Sequence, residues 1–370
     1  MTNIYIKNGR VILKDRILDG ATIAINNGKI SGISRKVTPR KGSFIIDAKG
    51  SFVSPGFIDC HIHGEPEKIF FNEARYGTTA FVVAESCAPL DRIYKIAEGI
   101  KEFIRTHPFG PNVLGLRLEG PYISKERAGA QNSTYIRKPD VKELCEIIKR
   151  CSPVLKMMTI APELKGAGPL IKLLRKHKII ASIGHSDATY ESAIEGIDAG
   201  ISHATHIFNA MSSMDRRDPG VVGAVLMDDR IAVEIILDLI HVHRALFELL
   251  LKLKKRDDLI VVTDSIVSER SKDTMALGGA FRFKDGRLAG SSLTMISALK
   301  NSVNISGLSL QEALSLITMN PAKLLGIEDR KGSMAQGKDA DIVIFSKEFD
   351  VNMTMIRGRI AFIKGKICAG

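Results

Sequence analysis

The sequence predicts an α/β protein: a (β/α)8 TIM-like barrel beside a small β-sandwich domain formed by both termini. Three observations predict it. Eight apolar runs of strand length alternate with amphipathic stretches through the middle of the chain. Short strand-like runs with turn signals fill both ends, and no helix-length periodicity interrupts them. The apolar runs of the middle end repeatedly on His, Glu or Asp, and barrel active sites form at the carboxyl ends of the strands.

The ends come first. YIKNGRVIL carries Asn8-Gly9 between apolar residues, and ATIAINNGKISGIS carries Asn27-Gly28. An Asn-Gly pair flanked by alternating apolar residues signals a hairpin, because both positions tolerate positive φ. The far end, DADIVIFSKEFDVNMTMIRGRIAFIKGKIC, repeats the pattern with a turn at Arg357-Gly358. The two ends are therefore expected to pair, with residues 1–53 and 337–370 as the two parts of one small β domain.

Residues 54–336 behave differently. The runs are FVSPGFIDCHIH, TTAFVVAES, NVLGLRLEG, LKMMTIAPE, IIASIGHSD, ISHATHIFNA, IAVEIILDLIH and LIVVTDS. Amphipathic stretches such as LDRIYKIAEGIKEFIRTH and PDVKELCEIIKRC lie between them. Strands alternating with helices argue for parallel βαβ units, and eight units suit a closed barrel.

Length and composition agree. A chain of 370 residues has room for a barrel of roughly 250 and one small accessory domain. The first twenty residues alternate and carry charge, unlike a signal peptide. No segment approaches the roughly 18 apolar residues of a membrane span. Five cysteines without CxxC spacing fit reduced thiols, and a cytoplasmic location is expected. A net charge of +12 suits either an anionic small-molecule partner or a generally basic surface. No RNP, helix-turn-helix or zinc-finger pattern points to nucleic acid.

The polar run ends carry the chemistry: His61 and His63, Glu119, His185, His206, His241 and Asp264. His61 and His63 are two apart, so on a strand they share a face, as does Asp59. Imidazole and carboxylate donors suit Zn2+ first, with Fe2+ or Mn2+ as alternatives. Glu119, His185 and His206 supply one Glu and two His, enough for a catalytic centre with an open position. His61 and His63 would then hold a second ion, giving one or two per subunit. Asp264 suits a general base that later returns its proton to the leaving amine; the competing role is a helix N-cap. His241 is placed to donate to a carbonyl or hydroxyl. His203, three before His206 and expected on the opposite strand face, reads as structural, as do His107 and His177; His243 is open. Cys87 reads as a buried thiol rather than a ligand.

PGFIDCHIHG, LEGPYIS, IGHSDATY, HATHIFNAM, TDS, GSSLTMISALKN, TMNPAKLLG and GKDADIVIF resemble, in order, the landmarks of the N-acetylglucosamine-6-phosphate deacetylases of the amidohydrolase superfamily. That resemblance implies hydrolysis of the acetamide of an N-acetylamino sugar phosphate. It implies Glu119, His185 and His206 as main metal ligands, His61 and His63 as a second-metal pair, Asp264 as catalytic aspartate and His241 as a carbonyl polariser. Asn209 and Ala210 match contacts to the sugar phosphate, with Ala130, Gln131 and Leu293 as further substrate contacts. Arg217 matches an arginine that reaches the phosphate from a neighbouring subunit, implying a homodimer with shared sites.

Three departures bear on substrate. The family's Gly-Ala-His-Asn is Gly129-Ala130-Gln131-Asn132 here, its Ala-Asp-Gly is Leu237-Asp238-Leu239, and Thr263-Asp264-Ser265 runs into IVSERSKD. They leave open a related substrate such as the galactosamine epimer, or a non-catalytic sugar-phosphate-binding homologue. A cyclic amidohydrolase would instead need a bridging lysine at the end of the fourth run, where Lys156 stands only at its start.

Overall fold

The computed structural model describes residues 3–107, 112–267 and 274–367; most of IVSERSKD, from residue 268 to 273, and Cys368 lie outside the described residues. Two sheets account for the architecture. The termini pair into one nine-stranded sheet. Its N-terminal strands are Ile4–Ile12, Ile17–Asn26, Lys29–Ser34, Phe44–Asp47 and Phe52–Pro55, and its C-terminal strands run from Ile342–Phe345 to Lys366–Ile367. The two sets join where Phe52–Pro55 pairs antiparallel with Ile342–Phe345. Ile6, Val11, Ile23, Val53, Ile342 and Met355 bury their side chains in a core of their own.

Two of the three turn signals fold as expected. Asn27 and Gly28 take φ of 52° and 73°, and Arg357 and Gly358 take 45° and 77°, each pair closing a two-residue hairpin. Asn8-Gly9 does not make a turn. It sits inside the strand Ile4–Ile12 as a bulge, with register shifts on either side of Gly9, and the chain reverses at residues 13–16 instead. The glycine serves close approach: a Cβ on it would lie 2.5 Å from Val53 Cγ2.

The second sheet carries eight parallel strands in chain order: Phe57–Gly64, Thr78–Glu85, Asn112–Leu118, Leu155–Ile160, Ile180–Ile183, His203–Ala204, Ala232–Ile236 and Leu259–Val262. The strand Ser265–Val267, two residues beyond the eighth, pairs parallel with the first, and the Asp264 N–H donates to the His61 carbonyl at 2.9 Å. A helix follows each strand, from Pro66–Glu73 after the first to Met295–Ser306 after the eighth. Sequence explains these helices locally. Leu90–Thr106 buries Ile93, Tyr94, Ala97 and Ile100, a stripe at helical spacing. Asp140 caps Val141–Cys151 by accepting from the Glu143 N–H. Three antiparallel strands, Thr274–Leu277, Ala280–Phe283 and Leu288–Ser291, extend the sheet past Ser265–Val267 as a flap beside the carboxyl ends.

Candidate metal centre

The strand termini bring the expected donors together. His61 and His63 lie within Phe57–Gly64, and Glu119 directly follows Leu118. His185, His206 and Asp264 each stand just beyond a strand, with φ of 48°, 27° and 49°. Such left-handed backbone costs a non-glycine residue on the order of 1–3 kcal/mol and concentrates at functional sites. Here it turns the chain off the strand axis just where each donor side chain is needed.

Two donor groups result. One holds His61, His63, Glu119 and Asp264, the other Glu119, His185 and His206, and the donor atoms within each lie within 4.8 Å of one another. Glu119 belongs to both. Its Oε1 contacts His61 Nε2 and lies 3.9 Å from His63 Nε2, while Oε2 lies 3.7 Å from His185 Nε2. Asp264 Oδ1 is 3.1 Å from His63 Nε2 and 3.3 Å from His61 Nε2. His185 turns Nδ1 to the Arg127 carbonyl at 3.0 Å. His61 Nε2, Glu119 Oε1, His185 Nε2 and His206 Nδ1 are buried without a hydrogen-bond partner. Buried polar atoms are almost always satisfied. Orphaned imidazole and carboxylate atoms facing one small space are what a divalent cation satisfies, so the residues present fit the metal expected from the sequence.

Electrostatics agree. Burial and Arg117 push His61 down, but Asp264, Glu119 and Glu234 outweigh them and raise it to about 10. Burial pushes Glu119 and Asp264 up, yet the surrounding histidines hold both carboxyls below their ordinary range. Burial, with His185 beside it, lowers His206 to about 4, so its ring is neutral and free to donate a lone pair. The centre concentrates carboxylate charge and asks for a cation.

A cavity of about 1050 Å³ opens over these donors. His63, Glu119, His185, His206, His241 and Asp264 line it, together with Ala130, Gln131, Asn209 and Ala210. The loop at Gly129 passes very near the centre: a Cβ there would stand 3.3 Å from Ala210 Cβ and 3.4 Å from His185 Cε1, at a φ of 59°. Arg287 Nη1 of the flap donates to the Gly129 carbonyl at 3.0 Å, and Leu288, Ala289 and Gly290 complete the wall. Two expected substrate contacts stand outside that lining. Leu293 is buried, its N–H on Ser291 Oγ. Arg217 sits exposed in the loop after His203–Ala204, its N–H on Asp215.

Several sequence expectations need adjustment. His241 is not at a strand end: the seventh strand stops at Ile236, and His241 follows in a turn anchored by Asp238. His203 is not on the far side of a strand from His206, because the strand ends at Ala204 and parity lapses there. It lies in the sheet interior, Nδ1 2.7 Å from Ser182 Oγ, and burial lowers it to about 3. Asp59 lies two residues before His61 on the same strand, where the register shifts, and accepts from Thr263 Oγ1 and N instead of joining the donors. His243 caps Arg244–Leu253, while His107 and His177 follow helix ends. Cys87 is a buried thiol whose Sγ contacts the Glu119 carbonyl at 3.2 Å; burial, then Glu119, pushes it up to about 12. Lys156 turns to the Pro153 carbonyl, away from both donor groups.

The supporting roles of four neighbours of the centre were not visible in the sequence. Gln131, expected as a substrate contact, donates to Glu119 Oε2 and accepts from the Cys87 N–H at 2.7 Å. Asp238 holds His241, and Arg117 and Glu234 lie fully buried beneath His61. A signal existed for the last two: each is a lone charge inside an apolar run, and a buried charge needs a partner.

Parallel βα units with a His and carboxylate centre at the strand carboxyl ends define a metal-dependent hydrolase. Residues 52–361 match the Amidohydrolase family model. The chain is 34% identical to a Bacillus subtilis N-acetylglucosamine-6-phosphate deacetylase, covering 98% of both chains. It is 29% identical to an Escherichia coli O157:H7 N-acetylgalactosamine-6-phosphate deacetylase over 98% of this chain and 100% of that one. The crystal structure of a Pasteurella multocida N-acetylglucosamine-6-phosphate deacetylase superposes with a TM-score of 0.89 at 29% identity, covering 97% of this chain and 99% of that one. The chain belongs to the amidohydrolase family.

Proposed function

We propose that this chain hydrolyses the acetamide of N-acetylglucosamine 6-phosphate to glucosamine 6-phosphate and acetate. The observation that carries it is the pair of donor groups sharing Glu119 beneath a cavity that also presents His241 and Asp264. The B. subtilis relative carries the name of this activity. A Mycobacterium smegmatis deacetylase of the same fold, TM-score 0.88 at 26% identity, forms a complex with N-acetyl-D-glucosamine-6-phosphate.

Glu119, His185 and His206 are the proposed ligands of one divalent cation, and His61 and His63 with Glu119 the place of a second. Zn2+ is the first candidate, ahead of Fe2+ and Mn2+. Such a cation supplies Lewis-acid polarisation and a lowered pKa for bound water. Every other step falls to the chain itself. His241, oriented through Nδ1, donates to the acetyl carbonyl oxygen and stabilises the charge that develops there. Asp264 takes the proton of the attacking water and passes it to the departing amine nitrogen. Asn209, Ala210, Ala130, Gln131 and Leu293 bound or back the sugar site, and Arg217 reaches the phosphate from a second subunit of a homodimer. Asn209 Nδ2 is held by the His206 and Ile207 carbonyls, which fixes where its amide oxygen points. We read the eight-stranded sheet as a closed barrel spanning 54–336, sealed through Ser265–Val267. Residues 1–53 and 337–370 form a β-sandwich domain beside it. No helix among the described residues is long and apolar enough to cross a membrane, and we place the enzyme in the cytoplasm.

A galactosamine substrate is the second reading, supported by Gln131 and by the galactosamine-type relative. Acetate release from N-acetylglucosamine 6-phosphate, its galactosamine epimer and unphosphorylated N-acetylglucosamine tests all of this. Turnover of the first alone supports the proposal. Turnover of the epimer alone moves the substrate. Silence on all three makes the chain a binding protein.

A further inference from the structure

The proposed reaction uses the donors at the mouth of the sheet but leaves unexplained the charges directly beneath them. Arg117 lies on Asn112–Leu118 and Glu234 on Ala232–Ile236, non-adjacent strands, and both residues are 0% exposed. They meet across the interior. Arg117 Nη1 donates to Glu234 Oε2 at 2.6 Å and to the Cys60 carbonyl at 3.1 Å, and Nη2 donates to Thr205 Oγ1 at 3.2 Å. The second oxygen of Glu234, Oε1, lies 2.5 Å from Nδ1 of His61.

This arrangement is not that of a pair serving stability alone. A buried Arg–carboxylate pair closes best as a two-pronged fork. Here Glu234 splits its oxygens, one to Arg117 and one to His61, while Arg117 places Nη1 and Nη2 also on the neutral Cys60 carbonyl and Thr205 Oγ1 and leaves Nε without a partner. Buried ion pairs are often no more stabilising than apolar residues of the same volume, which leaves orientation as the gain. A carboxylate on the outer nitrogen of a ligating histidine fixes its tautomer and ring plane. His61 Nε2, the atom left over, has no hydrogen-bond partner and faces Glu119 and Asp264. His185 is held independently, through the Arg127 carbonyl.

We infer that Glu234 is a positioning residue for the His61 side of the metal centre. It holds the His61 ring with Nδ1 on its own carboxylate and Nε2 toward Glu119 and Asp264, and Arg117 supplies the counter-charge that lets a carboxylate stand there. The inference rests on the proposed metal centre, and the test separates the two.

Metal-stripped full-length protein is titrated with Co2+, following bound metal per chain and the visible cobalt spectrum. If the unaltered protein takes up no Co2+, the metal-centre reading fails before this inference is reached. With uptake established, Glu234→Gln is expected to weaken Co2+ binding roughly 10–100-fold and shift the cobalt bands. Its metal-free form should keep the native circular dichroism spectrum, with a lower unfolding midpoint because Arg117 loses its buried partner. Arg117→Lys should retain more affinity than Arg117→Met. His61→Asn combined with Glu234→Gln should weaken binding no further than His61→Asn alone, because the two act through one ligand. A folded Glu234→Gln protein with unaltered affinity and spectrum overturns the inference. Should that variant not fold, the double replacement Arg117→Leu with Glu234→Leu removes both charges together, and native affinity in it is the overturning result.

Discussion

Asp238 holds His241: its Oδ2 lies 2.6 Å from His241 Nδ1, and its Oδ1 accepts the backbone N–H groups of Ile240 and of His241 itself, each at 2.8 Å. The turn it anchors carries Leu239 at a φ of 67°, a costly conformation for a bulky residue. The carboxylate makes the turn hold and leaves His241 Nε2 for the cavity. Asp238→Asn is expected to lower kcat about 10–100-fold, with a smaller change in KM, because orientation of the imidazole is lost while the sugar pocket stays. A kcat within twofold of the unaltered enzyme would show that His241 needs no such partner.

Asp264→Asn removes the proposed proton carrier without changing side-chain size. Turnover should drop by about 10²–10⁴-fold, the usual contribution of a positioned acid or base. Metal content measured by elemental analysis should stay at that of the unaltered protein. Near-normal acetate release from this variant would remove Asp264 from the proton path.

Gln131 donates to Glu119 Oε2 and is itself fixed by the Cys87 N–H. Gln131→Leu leaves Glu119 free to turn away, and metal affinity is expected to fall roughly 10–100-fold. Gln131→His tests selectivity separately, through kcat/KM for the glucosamine and galactosamine phosphates. Unchanged metal affinity in the leucine variant would mean that Glu119 is fixed by its histidine neighbours alone.

Arg217 stands in an exposed loop outside the cavity lining of its own chain. If it serves a neighbouring site, Arg217→Ala and Asp264→Asn are complementary defects. Mixed after reversible dissociation, the two inactive proteins should recover about a quarter of the unaltered activity, since a mixed dimer rebuilds one complete site. No recovery from stably mixed dimers would confine Arg217 to its own subunit.

Glu73, which is not part of the cavity lining, is a pH probe of stability. Burial, then Asp59, pushes it from 4.5 up to about 8, against Arg75. Between those values the folded chain holds a proton that the unfolded chain has lost. Stability therefore falls as pH rises through that window and levels off above it. Glu73→Gln should flatten the slope and stabilise the protein by at least about 1 kcal/mol at pH 9, with little effect near pH 4. Denaturant unfolding at the two pH values checks this; equal gains at both would place the effect elsewhere.

Much of this protein was legible from patterning. Alternating apolar runs announced the parallel strands, and Asn27-Gly28 and Arg357-Gly358 announced hairpins of the terminal sheet, because period and turn chemistry are local properties. The donors were legible for the same reason. His, Glu or Asp at the end of an apolar run is visible in one dimension, and the order of the runs brings those ends to one mouth.

What stayed hidden were relationships with no local signature. Asn8-Gly9 carries a turn signal, yet packing of Gly9 against Val53, a residue of another strand, makes it a bulge. Parity assigned His203 a face, but where the strand stopped was decided by pairing with its neighbours. Gln131 reads as a sugar contact until the fold lays its loop against Glu119. Arg117 and Glu234 are 117 residues apart, and each alone is an anomalous charge in an apolar strand. Sequence by itself determined which residue types reach the mouth of the sheet, since period and spacing are written along the chain. Only the tertiary structure decided which of them touch and which supporting groups hold them, because hydrogen bonds between distant segments exist only once the strands have closed around a common interior.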